Sequence, residues 1–462
     1  MRSAQIVFSF FIAGLFYVLA IGNTGCGQIG MPTGGPRDSI PPRLVSASPA
    51  LKSTNVKGNK ITLTFNEYVD LKNVQTAVLI SPYPKKSPII DFKLKTVTVK
   101  LRDSLLPNTT YSINFGDAIV DNNEGNPYRN FTYVFSTGNQ IDSFVLTGKV
   151  VLAETGKADS TLIALLYRPG NDSAVQKNKP DYVSRLSGDG SFSFVHLPAG
   201  SFNLYALKDG DGSKTYNSKK EIFAFADASV SVSENTEPVL LYASAVEKEK
   251  PPAPQKPTVK NKKLVYNLTP QATVLDLLGS FELSFNAPLQ NFDPAKLILR
   301  DTNYKAVPPG VWSIDSSRTK ISLRAAWQEG MAYRLIIDST AFSDSSGNRI
   351  ALADTIKLKA KDMSDYGHVV LRFSNLELGK KPVLQFVQGE EIKYSYPLIA
   401  SEWSNTFINP GEYELRILFD SNSNGKWDPG DYSKKLQPEK AITLSQKLGV
   451  RANWDNERDI KL

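Results

Sequence analysis

Residues 97–111 read VTVKLRDSLLPNTTY, and residues 319–333 read TKISLRAAWQEGMAY, at an offset of 222 positions (97 to 319). Apolar side chains recur at every second position at the start of both stretches, which is the period of a β-strand with one buried face. Both stretches then pass through a polar segment to a tyrosine. The chain of 462 residues therefore contains an internal repeat built on β-strands.

Two further blocks extend this repeat. The segment ITLTFN at 61–66 corresponds to FELSFN at 281–286, and the turn NNEGN at 122–126 corresponds to DSSGN at 344–348, again at an offset of 222 (122 to 344). Alternating strands separated by Gly, Pro and Asn clusters are typical of a β-sandwich. We therefore predict one sandwich, module A, over residues 43–138 and a copy, module A′, over residues 264–362.

A fainter repeat follows each of these modules. The segment FVHLPAGSFNLYALKD at 194–209 corresponds to FINPGEYELRILFD at 407–420, and in both an aspartate lies nine positions after a glycine (200 to 209, 411 to 420). These segments predict module B over 139–245 and module B′ over 363–462. Pro198–Gly200 reads as a tight turn, so we expect the strands on its two sides to form a hairpin.

Residues 246–263 are rich in proline and lysine and contain almost nothing to bury, so they are predicted to be an extended, solvated linker. The predicted fold class is all-β, with tandem β-sandwiches in the order A-B-linker-A′-B′ after an N-terminal signal peptide.

The N-terminus predicts export. Arg2 is followed by an uncharged apolar run, Ile6–Ile21, and small residues lead to Cys26, which is the single cysteine. The run spans about 24 Å as a helix, which is short for the roughly 30 Å of a bilayer core. Residues 1–25 are thus predicted to be a signal peptide, and residues 26–42, rich in Gly and Pro, a tether.

Thr24-Gly25-Cys26 resembles the lipobox of bacterial lipoproteins, although Asn23 stands where an aliphatic residue is usual. The resemblance implies that Cys26 is acylated and becomes the mature N-terminus. The alternative is an ordinary secreted protein in which Cys26 is not modified.

Module motifs carry a second resemblance. The P-x-x-V opening at Pro42, the T-F-N strand end, the L-x-x-x-T-x-Y block and the D-x-x-G-N turn make A and A′ similar to bacterial Ig-like domains, although the opening of A′ at Leu264 has no matching Pro-Pro start. Module B resembles carboxypeptidase-regulatory or transthyretin-like sandwiches through TGKV at 147–150, GSFSF at 190–194 and LPAG at 197–200; B′ departs more from this pattern. Together they resemble Ig-like-domain lipoproteins of Bacteroidota, which implies no shared catalytic residues.

Composition argues against catalysis and nucleic-acid binding. The only histidines, His196 and His368, are far apart in sequence, and no G-x-S-x-G, H-E-x-x-H or P-loop motif is present. The net charge of +8 is spread along the chain, apart from the linker, without a compact basic patch. We therefore expect a non-enzymatic protein that does not bind nucleic acid.

One segment has the spacing of a metal-binding loop, since residues 420–431 follow the D-x-[DN]-x-[DN]-G pattern of a Ca²⁺ loop. The predicted ligands are Asp420, Asn422, Asn424, the Lys426 carbonyl, Asp428 and Asp431. A polar turn without metal is the alternative. The corresponding segment of module B keeps only Asp209, Asp211 and Asn217, and there the turn without metal is favoured.

These features predict an envelope lipoprotein with a structural or protein-interaction role at the outer membrane. Its partners would be the membrane, through the N-terminal lipid, and other envelope proteins. Because no acidic run follows Cys26, the resemblance favours the periplasmic face slightly over the cell surface. A second interpretation is a glycan- or substrate-binding lipoprotein, in which Trp312, Trp403 or Trp427 stacks on sugars.

Overall fold

The computed structural model describes residues 12–14, 17, 38–170, 173–247, 263–271 and 273–462. The chain divides into two compact units. The first contains residues up to 135 except two short segments, Ile80–Lys85 and Leu106–Ser112, which belong with residues 136–462 to the second. Most of the signal run, Cys26 and most of the linker lie outside the described residues. No helix in the described part of the chain is long and apolar enough to cross a membrane.

Module A is built from short strands. Its main sheet has the order β1-β2-β6-β5, a ribbon pairs β3 with β8, and a further sheet has the order β4-β7-β9. A short helix, α1, covers Val74–Ala77. The strands are β1 Leu44–Ser48, β2 Lys60–Phe65, β3 Val69–Leu71, β4 Leu79–Ser81, β5 Ile89–Lys93, β6 Thr96–Lys100, β7 Thr110–Asn114, β8 Ile119–Asp121 and β9 Thr132–Ser136.

Module A′ repeats this order strand for strand. The strands are β18 Tyr266–Thr269, β19 Val274–Leu275, β20 Phe281–Phe285, β21 Leu289–Phe292, β22 Leu297–Asp301, β23 Val311–Ile314, β24 Lys320–Arg324, β25 Ala332–Ile337, β26 Phe342–Asp344 and β27 Asp354–Ala360. The sheets are β18-β20-β24-β23, β19-β27-β25-β22 and the ribbon β21-β26, so only β19 is additional. A 3₁₀ turn covers Pro294–Lys296. The tandem sandwich prediction is confirmed.

Modules A and A′ also share side-chain contacts that explain the repeated sequence blocks. The hydroxyl of Tyr111 accepts a bond of 2.7 Å from the Leu106 N–H, and that of Tyr333 accepts one of 2.8 Å from Gln328. Each tyrosine therefore fixes the loop five residues before it, as a tyrosine corner does in Ig-type sandwiches.

The polar turn near the end of each module corrects one detail of the sequence alignment. Asp121 in β8 accepts N–H bonds from four residues that follow it, Asn123 to Asn126, and Asp344 in β26 accepts them from Ser346 and Asn348. In the strand ribbons, Asp121 pairs with Val69 and Asp344 with Leu289. The counterpart of Asp344 is thus Asp121 rather than Asn122, since the first turn is one residue longer.

Modules B and B′ share a second topology. Module B contains β10 Phe144–Leu152, β11 Ile163–Tyr167, β12 Tyr182–Arg185, β13 Ser191–Leu197, β14 Gly200–Leu207, β15 Phe223–Phe225, β16 Val230–Val232, β17 Val239–Ala243 and helix α2 Ala174–Lys177. Its sheets are β13-β10-β17 and β12-β11-β14-β15, with β16 on β14.

Module B′ has the same order in its own strands. They are β28 Gly367–Ser374, β29 Pro382–Gln388, β30 Glu391–Pro397, β31 Glu402–Ile408, β32 Gly411–Phe419, β33 Lys440–Thr443, β34 Leu448–Val450 and β35 Asp455–Lys461. The sheets are β31-β28-β35 and β30-β29-β32-β33, with β34 on β32. Short 3₁₀ turns cover Met363–Asp365, Leu378–Lys380 and Tyr432–Lys434. The parallel pairs β10-β17 and β28-β35 also correspond.

The predicted hairpin around Pro198–Gly200 is wrong. Strand β13 pairs with β10 in one sheet, whereas β14 pairs with β11 in the other. Leu197 and Phe202, on the two sides of the turn, both reach the same core. The chain therefore crosses between the two sheets of the sandwich, which lets both strands bury apolar side chains against each other.

Candidate functional site

The loop that begins at Asp420 is closed by hydrogen bonds. Asp420 is only 2% exposed, and its carboxylate accepts bonds from the backbone N–H groups of Asn424 (3.2 Å) and Gly425 (2.7 Å). Gly425 has a φ of 75°, a left-handed conformation in which glycine carries no steric penalty. Asp420 therefore organises the turn at the end of β32.

Side chains in the middle of the loop donate hydrogen bonds to a second carboxylate, that of Asp428. The side-chain amides of Asn422 and Asn424 donate to Asp428 Oδ2 at 2.5 and 2.7 Å. Glu439, which is 8% exposed, accepts bonds from the Ser421 N–H (2.7 Å) and the Asp428 N–H (3.1 Å). Sequence reasoning missed Glu439, because it lies outside the motif and only the fold brings it under the loop.

Asp431 lies in the next turn. Its carboxylate accepts bonds from the Ser433 N–H and hydroxyl at 3.0 and 2.6 Å, and lies 3.6 Å from the Lys434 ammonium. These bonds, led by the Ser433 hydroxyl, lower the pKa of Asp431. Of the six predicted ligands, Asp420, Asn422, Asn424 and Asp428 thus share one network, whereas the Asp431 carboxylate caps a 3₁₀ turn.

The donor set suits an oxygen-preferring cation. In the described part of the chain, however, no group of three or more His, Cys, Asp or Glu side chains is arranged to hold a metal ion. Calcium binding would therefore use the amide oxygens of Asn422 and Asn424 and the Lys426 carbonyl beside Asp420 and Asp428. It stays a prediction.

The matching loop of module B starts in the same way and then diverges. Asp209 accepts a bond of 2.9 Å from the Lys214 N–H, five residues later, as Asp420 does from Gly425. Here the Lys214 ammonium also forms an ion pair with the Asp209 carboxylate. Asp211 accepts a bond of 2.8 Å from the Asn217 amide, which with the Ser213 bonds lowers its pKa to about 2.

Module B′ packs against module B through an aromatic cluster. Tyr432, 6% exposed, inserts among Tyr205, Tyr216, Phe223 and Phe225, with ring centroids 5.2 to 6.4 Å from its own. The hydroxyls of Tyr205 and Tyr432 are hydrogen-bonded at 3.1 Å. Such aromatic pairs each add about 0.5–1.5 kcal/mol beyond the burial of area.

Hydrogen bonds and an ion pair extend this interface between modules B and B′. The Ala441 N–H donates to the Ala153 carbonyl at 2.8 Å, and the Gly430 N–H donates to the Ser244 hydroxyl at 3.1 Å. The Lys157 ammonium lies 2.5 Å from the Glu414 carboxylate. The two modules are therefore joined by polar and apolar contacts, although module A′ lies between them in sequence.

Two cavities lie along this interface. One, of about 610 Å³, and one, of about 440 Å³, are both lined by Glu154 and Ala245 of module B and by Trp427 of module B′. The Trp427 Nε1–H donates to the Glu439 carbonyl at 2.8 Å, which fixes the ring. Trp427 was predicted as a sugar-stacking candidate, and of the three tryptophans proposed it is the one that lines these cavities.

The other candidate aromatic and histidine residues have structural surroundings. Trp403 packs against Phe386 and Tyr396, and Trp312 packs against Phe292. His196 Nδ1 lies 3.2 Å from the Asp142 carbonyl, and His368 Nδ1 lies 2.8 Å from the Asp455 carboxylate. Trp312 and Trp403 therefore share no sugar-binding platform with Trp427 in the contacts described.

Comparison with known proteins identifies one domain. Residues 38–137 match the family described as bacterial Ig-like domain, a non-catalytic kind of fold. Among solved structures, the chain is similar to the Escherichia coli α-2-macroglobulin domains MG0-NIE-MG1, with 13% identity and a TM-score of 0.21 over 42% of this chain and 79% of that one.

Two other solved structures are similar at the same low level. The Bacillus cereus major pilin subunit BcpA shows 9% identity and a TM-score of 0.18 over 69% of this chain and 98% of the pilin chain. The N-terminal part of the bacterial S-layer protein SbsC shows 14% identity and a TM-score of 0.16 over 45% of each chain. A search of curated protein sequences finds no match.

Proposed function

We propose that this chain is a non-enzymatic envelope lipoprotein with a structural or protein-interaction role at the outer membrane. The observation that carries the proposal is the duplicated pair of sandwiches, together with the direct packing of module B′ on module B. An Ig-like module supplies a rigid surface rather than reactive groups, and its match over residues 38–137 supports a structural role.

The finer assignments belong to the same proposal. Modules B and B′ are transthyretin-like or carboxypeptidase-regulatory sandwiches, and the whole chain is a Bacteroidota-type lipoprotein. Residues 1–25 are the signal peptide, and the modules extend over 43–138, 139–245, 264–362 and 363–462. Envelope proteins are the partners, and the periplasmic face is favoured slightly over the cell surface.

Membrane retention would depend on lipid rather than charge. An acyl chain contributes about 0.8 kcal/mol per buried CH₂, whereas a lysine near anionic lipid contributes about 1 kcal/mol. Two or three acyl chains on Cys26 would therefore outweigh the basic residues of the chain several-fold. Retention should then depend on one side chain.

Replacing Cys26 tests the anchor. Cys26→Ser should remove the protein from the outer-membrane fraction and leave the signal peptide attached, since the lipid-dependent cleavage requires the cysteine. Fractionation and mass spectrometry measure both changes, with Ser39→Ala in the tether as the matched control. Unchanged membrane retention and mass in Cys26→Ser would contradict the anchor.

Cross-linking of the anchored protein in intact cells tests the interaction role. A defined envelope protein should be captured through lysines of the modules, and the capture should be lost in Cys26→Ser. Recovery of uncross-linked protein alone would contradict a protein-interaction role.

A structural calcium ion in the 420–431 loop is part of this proposal. Oxygen donors from Asp420, Asn422, Asn424, Asp428 and the Lys426 carbonyl would hold it, and the Asp431 carboxylate would have to leave Ser433 to join them. Stabilisation of the loop would be its role. The affinity should be weak, with a dissociation constant of roughly 10⁻⁴–10⁻³ M as in other extracellular modules.

A second candidate function, glycan or substrate binding, is favoured by one observation. Trp427 lines two adjoining cavities at the contact between modules B and B′. The chemistry of these cavities decides which class of ligand they suit.

A further inference from the structure

The space beside Trp427 has the size of a ligand site. The two cavities, of about 610 and 440 Å³, share Trp427, Glu154 and Ala245 in their walls. Pockets for small molecules usually measure roughly 300–1,000 Å³ and occur at contacts between domains. Both walls come from modules that are joined by direct contacts, so the space is formed before any ligand arrives.

A buried amide faces this space without a partner. Gln385 is 3% exposed and lines the smaller cavity, and its side chain makes no hydrogen bond with any residue that the structure describes. On the next strand Arg416 pairs with it in register, and Arg416 Nε also lacks a partner within the described chain. Because the Gln385 amide opens into the smaller cavity, it can pair with an occupant that has both donors and acceptors.

The Trp427 ring supplies an apolar wall beside these polar groups. Its Nε1–H bond to the Glu439 carbonyl holds it in one orientation, and Ile392 and Pro429 line the same smaller cavity. A ring fixed in advance loses little conformational entropy when a ligand binds. The cavity thus offers an aromatic surface on one side and an amide on another.

Charges around the two cavities nearly balance. Glu154 and Lys426 line the smaller one, and the larger one adds two lysines and two glutamates, Lys208, Lys220, Glu221 and Glu247. A phosphate or polyanion site would need a net positive lining, and an acyl chain would be poorly solvated among these charges. The lining suits a neutral ligand rich in hydroxyl groups.

We propose that this space binds a neutral saccharide. The C–H face of a sugar ring would stack on Trp427, and ring hydroxyls would pair with the Gln385 amide, the Glu154 carboxylate and the Ser395 hydroxyl. Each hydroxyl both donates and accepts, which matches an amide that needs both kinds of partner. This inference deepens the second candidate function and rests on it.

Titration of the full mature chain with cellobiose, maltose and N,N′-diacetylchitobiose tests the proposal. At least one disaccharide should shift the Trp427 indole N–H signal saturably, with the signal assigned by Trp427→Phe. In calorimetry, Gln385→Leu should weaken binding by about tenfold, the effect of losing one hydrogen bond. Trp454→Phe is the matched control, because Trp454 is 61% exposed and lines neither cavity.

Three outcomes would overturn the proposal. These are no shift with any disaccharide at millimolar concentration, undiminished binding in Gln385→Leu and Trp427→Phe, or a Trp427 shift produced instead by inorganic phosphate or an uncharged acetylated tripeptide amide. Backbone spectra establish that each variant is folded, and Ser395→Ala gives a milder second probe of the smaller cavity. The fractionation of Cys26→Ser reads out the envelope role separately, so the two proposals can fail independently.

Discussion

The loops that follow β14 and β32 begin alike and are stabilised differently. Asp209 and Asp420 occupy the same position, and each accepts the N–H of the fifth residue after it. In module B that residue is Lys214, whose ammonium also pairs with Asp209. In module B′ it is Gly425, and the carboxylate of Asp420 accepts backbone N–H groups in place of a lysine.

The difference shows two ways of compensating a buried carboxylate. Module B carries its cation on its own chain, whereas module B′ surrounds its carboxylates with backbone and side-chain amide groups. Only the second arrangement would respond to calcium, because the first already has a positive charge at the position an ion would take.

The largest effect should follow from breaking the internal ion pair. Asp209→Ala leaves the Lys214 ammonium, whose side chain is 22% exposed, without its partner. We expect a loss of about 3 kcal/mol in local stability, the cost of leaving one member of a buried pair alone. Hydrogen exchange at the Lys214 amide measures it. The double variant Asp209→Ala, Lys214→Met should recover part of the loss; purely additive effects would contradict the ion pair.

A smaller loss is expected in the other loop. Asp420→Ala removes the acceptor of the Asn424 and Gly425 N–H groups but leaves no buried cation, so we expect about 2 kcal/mol. Faster hydrogen exchange at Gly425 is the measurement, and Asp420→Asn, which keeps one acceptor oxygen, should lose about half as much. Unchanged exchange at Gly425 would show that the carboxylate does not hold the turn.

Calcium should stabilise one of the two loops and leave the stability of the other unchanged. Millimolar Ca²⁺ should stabilise the 420–431 loop by on the order of 1 kcal/mol, by mass action on the folded state, and leave the 209–217 loop unchanged. Thermal unfolding and hydrogen exchange of the full chain, with calcium and with chelator, measure this. Asp420→Ala combined with Asp428→Ala is the control. Equal midpoints, or a shift that survives in the control, would leave a plain polar turn.

Low pH should produce the smallest difference in stability between the two loops. The pKa of Asp211 is lowered to about 2, first by the Asn217 amide, so its contribution is present above the unfolded value near 3.8 and is lost as pH falls towards 2. Carboxyl NMR titration should find this midpoint, and Asn217→Ala should raise it towards the ordinary value. A midpoint that Asn217→Ala does not move would remove the amide as the cause.

Local patterns predicted the strands well and the contact between modules not at all. The alternating block ITLTFN at 61–66 was expected to be a strand, and β2 covers Lys60–Phe65, because the alternation of apolar and polar residues acts locally. The hairpin at Pro198–Gly200 failed, since a tight turn does not reveal whether the next strand stays in the same sheet.

The residues of the proposed saccharide site show the same limit. Trp427 was noticed by residue type, but Gln385, Glu154 and Glu439 become neighbours of it only through the packing of B′ on B. One signal was available: residues 382–387 read PVLQFV, an almost continuous apolar run, which is typical of a strand buried on both faces, and β29 is buried at all of these positions. Only the structure shows which module covers the outer face of the sheet.

The contact between Ala153 and Ala441 has a mechanical consequence. Module A′ and the segment before it lie between modules B and B′ in sequence, and their two ends are brought together by this contact and by Tyr432. A force that pulls the C-terminus away from an anchored N-terminus would therefore pass directly from B to B′. Module A′ would bear load only after that interface had sheared.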